Sequence, residues 1–405
     1  MAVFQVARAQ DGSDAEIWAV DLETKERRFL TQGTLPTYAS SGHLLWGTPE
    51  GTLMAAPIDS RTAELTALPV PVAEGLLVDG FGSLDYSVAE NGTLIYREGV
   101  STGDSQMTWM SRSGVLSPFD PVLQFHLRTG NVEFALSPDG SKLAFTARNE
   151  DTNDFDIWIR ELPDGASRRL TFDDQGESNP TWAADGQYLT YIKGGDVWRV
   201  SVDGSGAPEL VLDDERVLFS ASWSPDGAWL IARTRFDSTQ GQRDIVGFRP
   251  GLDQAVIPLV ATEAFDEVVP SLSPDGRWLL YSSNETGQYE VYVRPFPIVD
   301  SPAVPVSRDG GGSPRWAHSG RELFYVSNKG NLISVAVRTD NQFTVLQRET
   351  LFSLPLLTRG SAASSSFDVS SDDQQFLFVS PSIASDSRFV LVQNFFEELK
   401  RRVPN

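Results

Sequence analysis

The sequence predicts an all-β protein, a single propeller of four-stranded antiparallel blades. Three observations predict it: one hairpin motif recurs along the 405 residues, its spacing is that of a blade, and 33 Gly with 24 Pro supply turns throughout. The motif is clearest in Phe134-Ala-Leu-Ser-Pro-Asp-Gly-Ser-Lys-Leu-Ala-Phe145, Thr181-Trp-Ala-Ala-Asp-Gly-Gln-Tyr-Leu-Thr-Tyr191, Ser222-Trp-Ser-Pro-Asp-Gly-Ala-Trp-Leu-Ile231 and Ser271-Leu-Ser-Pro-Asp-Gly-Arg-Trp-Leu-Leu-Tyr281. Weaker copies surround Gly42, Gly92 and Gly320, and Asp373 fills the eighth slot. These positions recur on average about every 47 residues, within the roughly 40–50 residues of one blade.

Each part of the repeat has a local reason. In Ser-Pro-Asp-Gly, Pro presets φ, Asp tolerates the next turn position and Gly supplies a positive φ, so each copy closes a hairpin. A variable polar loop follows, then a strand such as Asp156-Ile-Trp-Ile-Arg160, Asp196-Val-Trp-Arg-Val200 or Glu290-Val-Tyr-Val-Arg294. A second tight turn, as at Pro163-Asp-Gly165, leads to a short outer strand such as Arg168-Arg-Leu-Thr171.

Seven complete units fit between about 37 and 355, inside one domain spanning 1–405. An open ring would leave two unpaired edges, so an eighth blade is expected from both termini, 1–36 plus 356–394; seven blades with spare strands is the alternative. A short helix is expected over about 395–402, capped by Asn394 and supported by Glu397 and Arg401 at i,i+4.

Charge narrows the partners. The chain carries 33 Lys+Arg against 55 Asp+Glu, a net charge of −22, which disfavours nucleic acid and anionic lipid and points to neutral or cationic partners. With no cysteine, there is no thiol nucleophile, disulfide framework or cysteine-based metal site. No apolar run approaches the ~18–20 residues of a membrane helix, so direct insertion is not expected. The start, Met1-Ala-Val-Phe-Gln-Val-Ala-Arg8, lacks a signal-peptide pattern and suggests an excised or processed beginning.

Catalytic motifs are scarce. Gly99-Val-Ser101-Thr-Gly103 fits G-x-S-x-G but lies between two strand-like segments, without the helix a nucleophile elbow requires. The three histidines, His43, His126 and His318, show no convergence on Ser101. No cofactor is expected and no metal site is assigned; Asp151, Asp154 and Asp156 are the one local set that would suit a calcium ion, although a solvated loop is the plainer reading. The repeated Asp139, Asp185, Asp226 and Asp275 read as turn residues.

What remains is the channel mouth, ringed in propellers by the loops before each inner strand. The residues there are Glu177, Asn179, Glu215, Arg216, Asp266, Glu267 and Arg315, a mostly acidic set suited to a protein, a peptide or a small polar or cationic ligand. Loops 149–155 and 236–243 lie on the same face and would gate it. The expected function is therefore non-catalytic ligand or protein binding. An enzyme, a lyase or hydrolase working in the channel mouth, and a structural scaffold are the rivals.

The Ser-Pro-Asp-Gly units followed by Asp-Ile-Trp and Arg-Leu-Thr resemble the TolB-type, WD-repeat-like propeller. More narrowly, Ser283-Asn-Glu-Thr-Gly-Gln-Tyr-Glu-Val-Tyr-Val-Arg-Pro-Phe-Pro297, Pro314-Arg-Trp-Ala-His-Ser-Gly-Arg-Glu-Leu-Phe-Tyr325 and Asn394-Phe-Phe-Glu-Glu-Leu-Lys-Arg-Arg-Val-Pro404 resemble the C-terminal propeller of some bacterial serine/threonine protein kinases. That resemblance implies a sensory or protein-binding portion, on the extracytoplasmic side, of a longer chain bearing a kinase domain.

Overall fold

Strands fill the chain because apolar residues alternate along short segments bounded by Gly, Pro and Asp turns. The computed structural model describes all residues except 7–14, 79–83, 100, 121–132, 150–153, 236–241, 300, 341, 355–364, 384–386 and 404–405, with 101–105 and 380–383 described as backbone alone. The chain divides into two units, Met1–Asp104 with Pro381–Asn405, and Ser105–Ser380.

The larger unit holds six four-stranded antiparallel sheets. Blade 1 is Phe134–Leu136, Lys142–Arg148, Phe155–Glu161 and Ser167–Arg169. Blade 2 is Glu177–Trp182, Tyr188–Lys193, Asp196–Ser201 and Glu209–Leu212, and blade 3 is Leu218–Trp223, Leu230–Thr234, Ile245–Phe248 and Ile257–Val260. Blade 4 runs from Glu267–Leu272 to Val304–Pro305, and blade 5 from Gly311–Trp316 to Thr344–Ser353. Blade 6 joins distant segments: Phe367–Val369 and Gln375–Ile383 pair onward to Ser101–Ser111 and Leu116–Pro118.

Successive side chains of a strand enter different cores, because both faces of each sheet are covered. Ile157 and Ile159 join Leu189, Tyr191 and Val200 between blades 1 and 2, whereas Trp158 turns toward Phe145 and Leu377 between blades 1 and 6. Phe324 of blade 5 meets Phe376 of blade 6 edge-on at 4.9 Å. Blade 6 thus packs on both blade 1 and blade 5, and this unit is a closed ring of six.

The smaller unit has three sheets. Ala2–Val6, Glu16–Val20 and Arg27–Gln32 form one; Thr34–Ala39, His43–Gly47 and Leu53–Asp59, with Glu64–Leu65 and Val70–Ala73, form the second; Tyr86–Val88, Leu94–Glu98 and Arg388–Val392 form the third.

The fold class is as expected: all-β, with repeated four-stranded antiparallel sheets and one short helix. The allotment of strands differs. Nine sheets are described, six in one unit and three in the other, and the closing blade is not built from 1–36 plus 356–394. The first three strands pair with each other, from Ala2↔Val20 to Val6↔Glu16 and Trp18↔Phe29, because short loops close at small entropic cost. Termini do supply distant partners, but Arg388–Val392 pairs with Leu94–Glu98 and Gln375–Ile383 with Ser101–Ser111.

The helix spans Phe395–Arg402 and buries Phe395 and Leu399. Two details of its ends are corrected. Asn394 is left-handed, at φ 57°, and makes no side-chain cap; the Phe395 N–H donates to the Gly92 carbonyl at 2.8 Å. The ion pairs are Glu397–Lys400 and Glu398–Arg402, each 3.2 Å, instead of Glu397–Arg401. His43 is fully buried beneath this helix, its Nε2 2.6 Å from the Val403 carbonyl oxygen.

Candidate functional site

The inner strands of the six-blade unit are bulged where proline interrupts them. Proline has no N–H for the ladder, so pairing slips between Ser178 and Thr181, between Val268 and Ser271, and between Gly312 and Arg315. The preceding residue takes the left-handed conformation each time: Asn179 at φ 52°, Val269 at 52° and Ser313 at 51°. Asn tolerates that region, whereas a β-branched Val is strained there.

Beyond the bulges the strands enclose a cavity of about 460 Å³. One position per blade forms a ring around it: Ala135, Thr181, Ser222, Ser271, Arg315 and Asp368. At three of these positions the side chain ties one blade to the next. The Thr181 hydroxyl donates to the Ala221 carbonyl at 2.6 Å, Arg315 donates from Nη2 to Ser365 Oγ at 2.7 Å and from Nε to the Phe367 carbonyl at 3.4 Å, and Asp368 Oδ2 accepts the Leu136 N–H at 2.8 Å. Below this ring lie Trp182 and Trp223, whose indoles donate to the Ala135 carbonyl at 2.9 Å and to Thr190 Oγ1 at 2.7 Å. Their hydrogen bonds fix both rings in place.

Of the seven mouth residues read from the sequence, Asn179 and Arg315 line the cavity. The others do not, and each has a physical reason. Glu177 is fully buried inside the sheets, accepting from Thr171 Oγ1 at 3.1 Å. Burial, with the Asp156 and Asp173 charges nearby, pushes its carboxyl up to about 8, so it is mostly protonated at neutral pH. Asp156, which Glu177 hydrogen-bonds, is itself raised by burial although Arg169 sits 2.9 Å away. Asp156 Oδ2 and Glu177 Oε1 are both buried without a hydrogen-bond partner.

Glu267 repeats this in blade 4. It is buried, accepts from Thr262 Oγ1 at 2.8 Å, and burial lifts it to about 7, with Asp244 and Asp266 adding to the effect. Asp266 is clamped by Arg243 Nη2 at 2.6 Å and the Tyr289 hydroxyl at 2.9 Å. At the corresponding place in blade 5 stands Gly311, where a Cβ would sit 2.7 Å from the Tyr325 ring; the carboxylate comes instead from Glu290, which accepts from the Gly310 N–H at 2.8 Å and from Ser307. Glu215 is exposed, and Arg216 is paired with Asp214 at 2.9 Å, both away from the cavity lining. The acidic mouth is thus largely a set of buried joints between strands.

The turn aspartates are structural, as read from the sequence. Asp139 Oδ1 accepts from Ser137 Oγ at 2.6 Å and the Ser141 N–H at 2.9 Å, and these bonds lower its carboxyl to about 2. Asp226 has the same arrangement with Ser224 and Ala228. Asp373, in a slot filled elsewhere by Gly, takes φ 60° and accepts from the His318 N–H at 2.7 Å, His318 Nδ1 at 3.0 Å and the Ser319 N–H at 3.1 Å, clasping blade 6 to blade 5.

His126, Asp151 and most of loops 149–155 and 236–243 lie outside the described residues, as does the Ser101 side chain. Ser101 belongs to a strand, Ser101–Ser111. Among the described residues, no group of three or more His, Asp or Glu side chains is placed to hold a metal ion.

Sequence reasoning missed Arg233. It is buried, lines the cavity, and its guanidinium lies 3.8 Å from the Phe219 ring centroid; burial and the Arg243 charge work against its ionisation. A signal existed. The second strand of each blade carries an aromatic at one slot, Phe145, Tyr191, Tyr281, Tyr325 or Phe378, and blade 3 alone has a small residue there, Ala232, followed by Arg233. Departure from a repeat was the clue.

Comparison with known proteins agrees with the repeat. Residues 122–293 match the family model described as PD40, TolB beta propeller domain. Among solved structures, a TolB-assigned protein of Agrobacterium tumefaciens aligns with 68% of this chain and 98% of its own, at 17% identity and a TM-score of 0.48. TolB of Acinetobacter baumannii aligns with 75% of this chain and 79% of its own, at 16% identity and a TM-score of 0.41. A sequence relative, the uncharacterized peptidase YuxL of Bacillus subtilis strain 168, is 28% identical over 37% of this chain. The aligned part is 29% of that relative's length.

Proposed function

We propose that this protein is a non-catalytic binding propeller, whose six-blade unit takes a peptide, a loop of a partner protein or a small polar ligand into its central channel. The observation that carries the reading is the cavity of about 460 Å³ to which all six inner strands contribute, lined by small and apolar residues, prolines, aromatic rings and four charged side chains, Glu133, Arg233, Arg315 and Asp368. Two lining groups that would suit proton transfer are already engaged, Asp368 by backbone N–H groups and His318 Nδ1 by Asp373, which supports binding over chemistry. Glu177, Asp266 and Glu267 are absent from the lining, whose acids are Glu133 and Asp368, set against Arg233 and Arg315.

The kinase-like resemblance supports a finer version, in which the propeller is the extracytoplasmic sensor of a longer receptor-like kinase. Among the described residues no helix is long and apolar enough to cross a membrane. A second reading rests on the alignment with a peptidase-named relative: the propeller would then accompany a hydrolase domain carried elsewhere.

Thermal melting across sugars, peptides, polyamines and divalent ions tests the binding reading. At least one class raises the melting temperature if the channel binds it. No shift with any of them, together with failure to capture a protein partner, sinks it.

A further inference from the structure

We propose that the channel ligand carries a carboxylate, and that Arg315 is the residue that holds it. This rests on the channel-binding reading and names its ligand class.

The ring Ala135, Thr181, Ser222, Ser271, Arg315 and Asp368 has two charged members. They do not neutralise each other. Asp368 directs Oδ2 to the Leu136 N–H at 2.8 Å and Oδ1 to its own neighbour's N–H, that of Val369, at 3.0 Å. Arg315 spends its bonds on neutral oxygens, Ser365 Oγ and the Phe367 carbonyl. Among the described residues no carboxylate pairs with it, although the chain carries 55 of them. A half-buried guanidinium without a counter-charge is costly to keep.

Its blade-to-blade bond does not require that cost. The same position in blade 2 makes the equivalent tie with a threonine hydroxyl, from Thr181 to the Ala221 carbonyl. What arginine adds is a charge and a planar fork that grips a carboxylate through two N–H groups. Ser365 and Phe367 hold the side chain, so little rotamer freedom is lost on binding. Two further charged side chains line the same cavity, Arg233 from blade 3, braced on Phe219, and the buried Glu133 just ahead of blade 1. The lining runs from the bulge residues Asn179 and Val269 to the hairpin prolines Pro138, Pro225 and Pro274, the length of an inner strand. At about 3.3 Å per residue that suits an extended segment of some six residues.

Two hexapeptide libraries, one with amidated and one with free C-termini and all N-acetylated, are screened against the full chain. Binders are assigned to the channel by hydrogen-exchange protection of Glu177–Trp182 and Glu267–Leu272. The expected binders carry Asp or Glu at one position in the amidated library, or the terminal carboxylate in the free one. Replacing that acid by its amide weakens binding about 10- to 100-fold, and Arg315→Gln causes the same loss while Arg315→Lys retains part of it. Melting curves of the two variants separate loss of binding from loss of folding. Channel binders indifferent to the acid and to Arg315→Gln overturn the carboxylate assignment and leave the channel reading intact. If the libraries give no channel binder, the carboxylate assignment falls, while the melting panel of sugars, polyamines and ions still decides the channel reading.

Discussion

The two ends of an inner strand treat the same side-chain class in opposite ways. At the hairpin end Asp139 and Asp226 collect serine hydroxyls and backbone N–H groups, and these bonds hold their carboxyls below the usual range. At the other end Glu177 and Glu267 are sealed among sheets, and burial pushes them up to about 8 and 7. The difference is one of donors. A carboxylate in a tight turn finds several fixed N–H and O–H groups, whereas one buried beside another acid keeps its proton. The turn bonds therefore favour the ionised form of Asp139 and Asp226, whereas burial favours the neutral form of Glu177 and Glu267.

The largest test of this contrast is pH. Glu177 has a folded pKa above its unfolded value, so the folded state holds a proton that the unfolded chain has released. Its contribution is fully present below about 4.5 and is lost as pH rises through about 8. Denaturant midpoints should fall between pH 5 and 9, and Glu177→Gln should flatten that limb by up to about 4 kcal/mol. The turn aspartates have the opposite sign: their contribution is present above the ordinary carboxylate range and is lost as pH falls through about 2 for Asp139. An unchanged alkaline limb in Glu177→Gln would break the comparison.

A smaller effect is expected at the clasp. Asp373→Gly relieves the left-handed backbone but removes the acceptor for three donors on His318 and Ser319, so chemical denaturation should show a net loss of about 1–2 kcal/mol. A gain in stability would mean that the turn geometry, and not the clasp, dominates there. The smallest effect is at the strained end. Val269→Asn should stabilise by about 1 kcal/mol, because Asn accepts the left-handed conformation that Asn179 already shows in blade 2. A destabilisation there would show that the Val269 side chain is held by packing instead of tolerated despite strain.

Much of the fold was legible. The Ser-Pro-Asp-Gly hairpins, the four-stranded sheets and the C-terminal helix follow from periodicity and turn chemistry, both local properties. Closure was not legible, because Ser101–Ser111 pairs with Gln375–Ile383 across more than 260 residues, a choice made by cores such as Phe324 on Phe376. The site was half legible for a related reason. Chain position finds the mouth, but burial decides which side chains face the cavity, and the bulge between Ser178 and Thr181 breaks the alternation, so that Asn179 lines the cavity while Glu177 is buried in the sheets. Arg233 could have been found by asking where a blade breaks its own pattern, since Ala232 replaces an aromatic that the other five blades of this ring keep.

The central claim is that the channel of the six-blade unit is the binding site. Melting temperatures of the full chain and of Ser222→Trp, which fills the ring from blade 3, should be compared across the same ligand panel. A ligand that raises the melting temperature of the unaltered chain and leaves that of Ser222→Trp unmoved is the predicted result. Equal shifts in both proteins, or none in either, would contradict it.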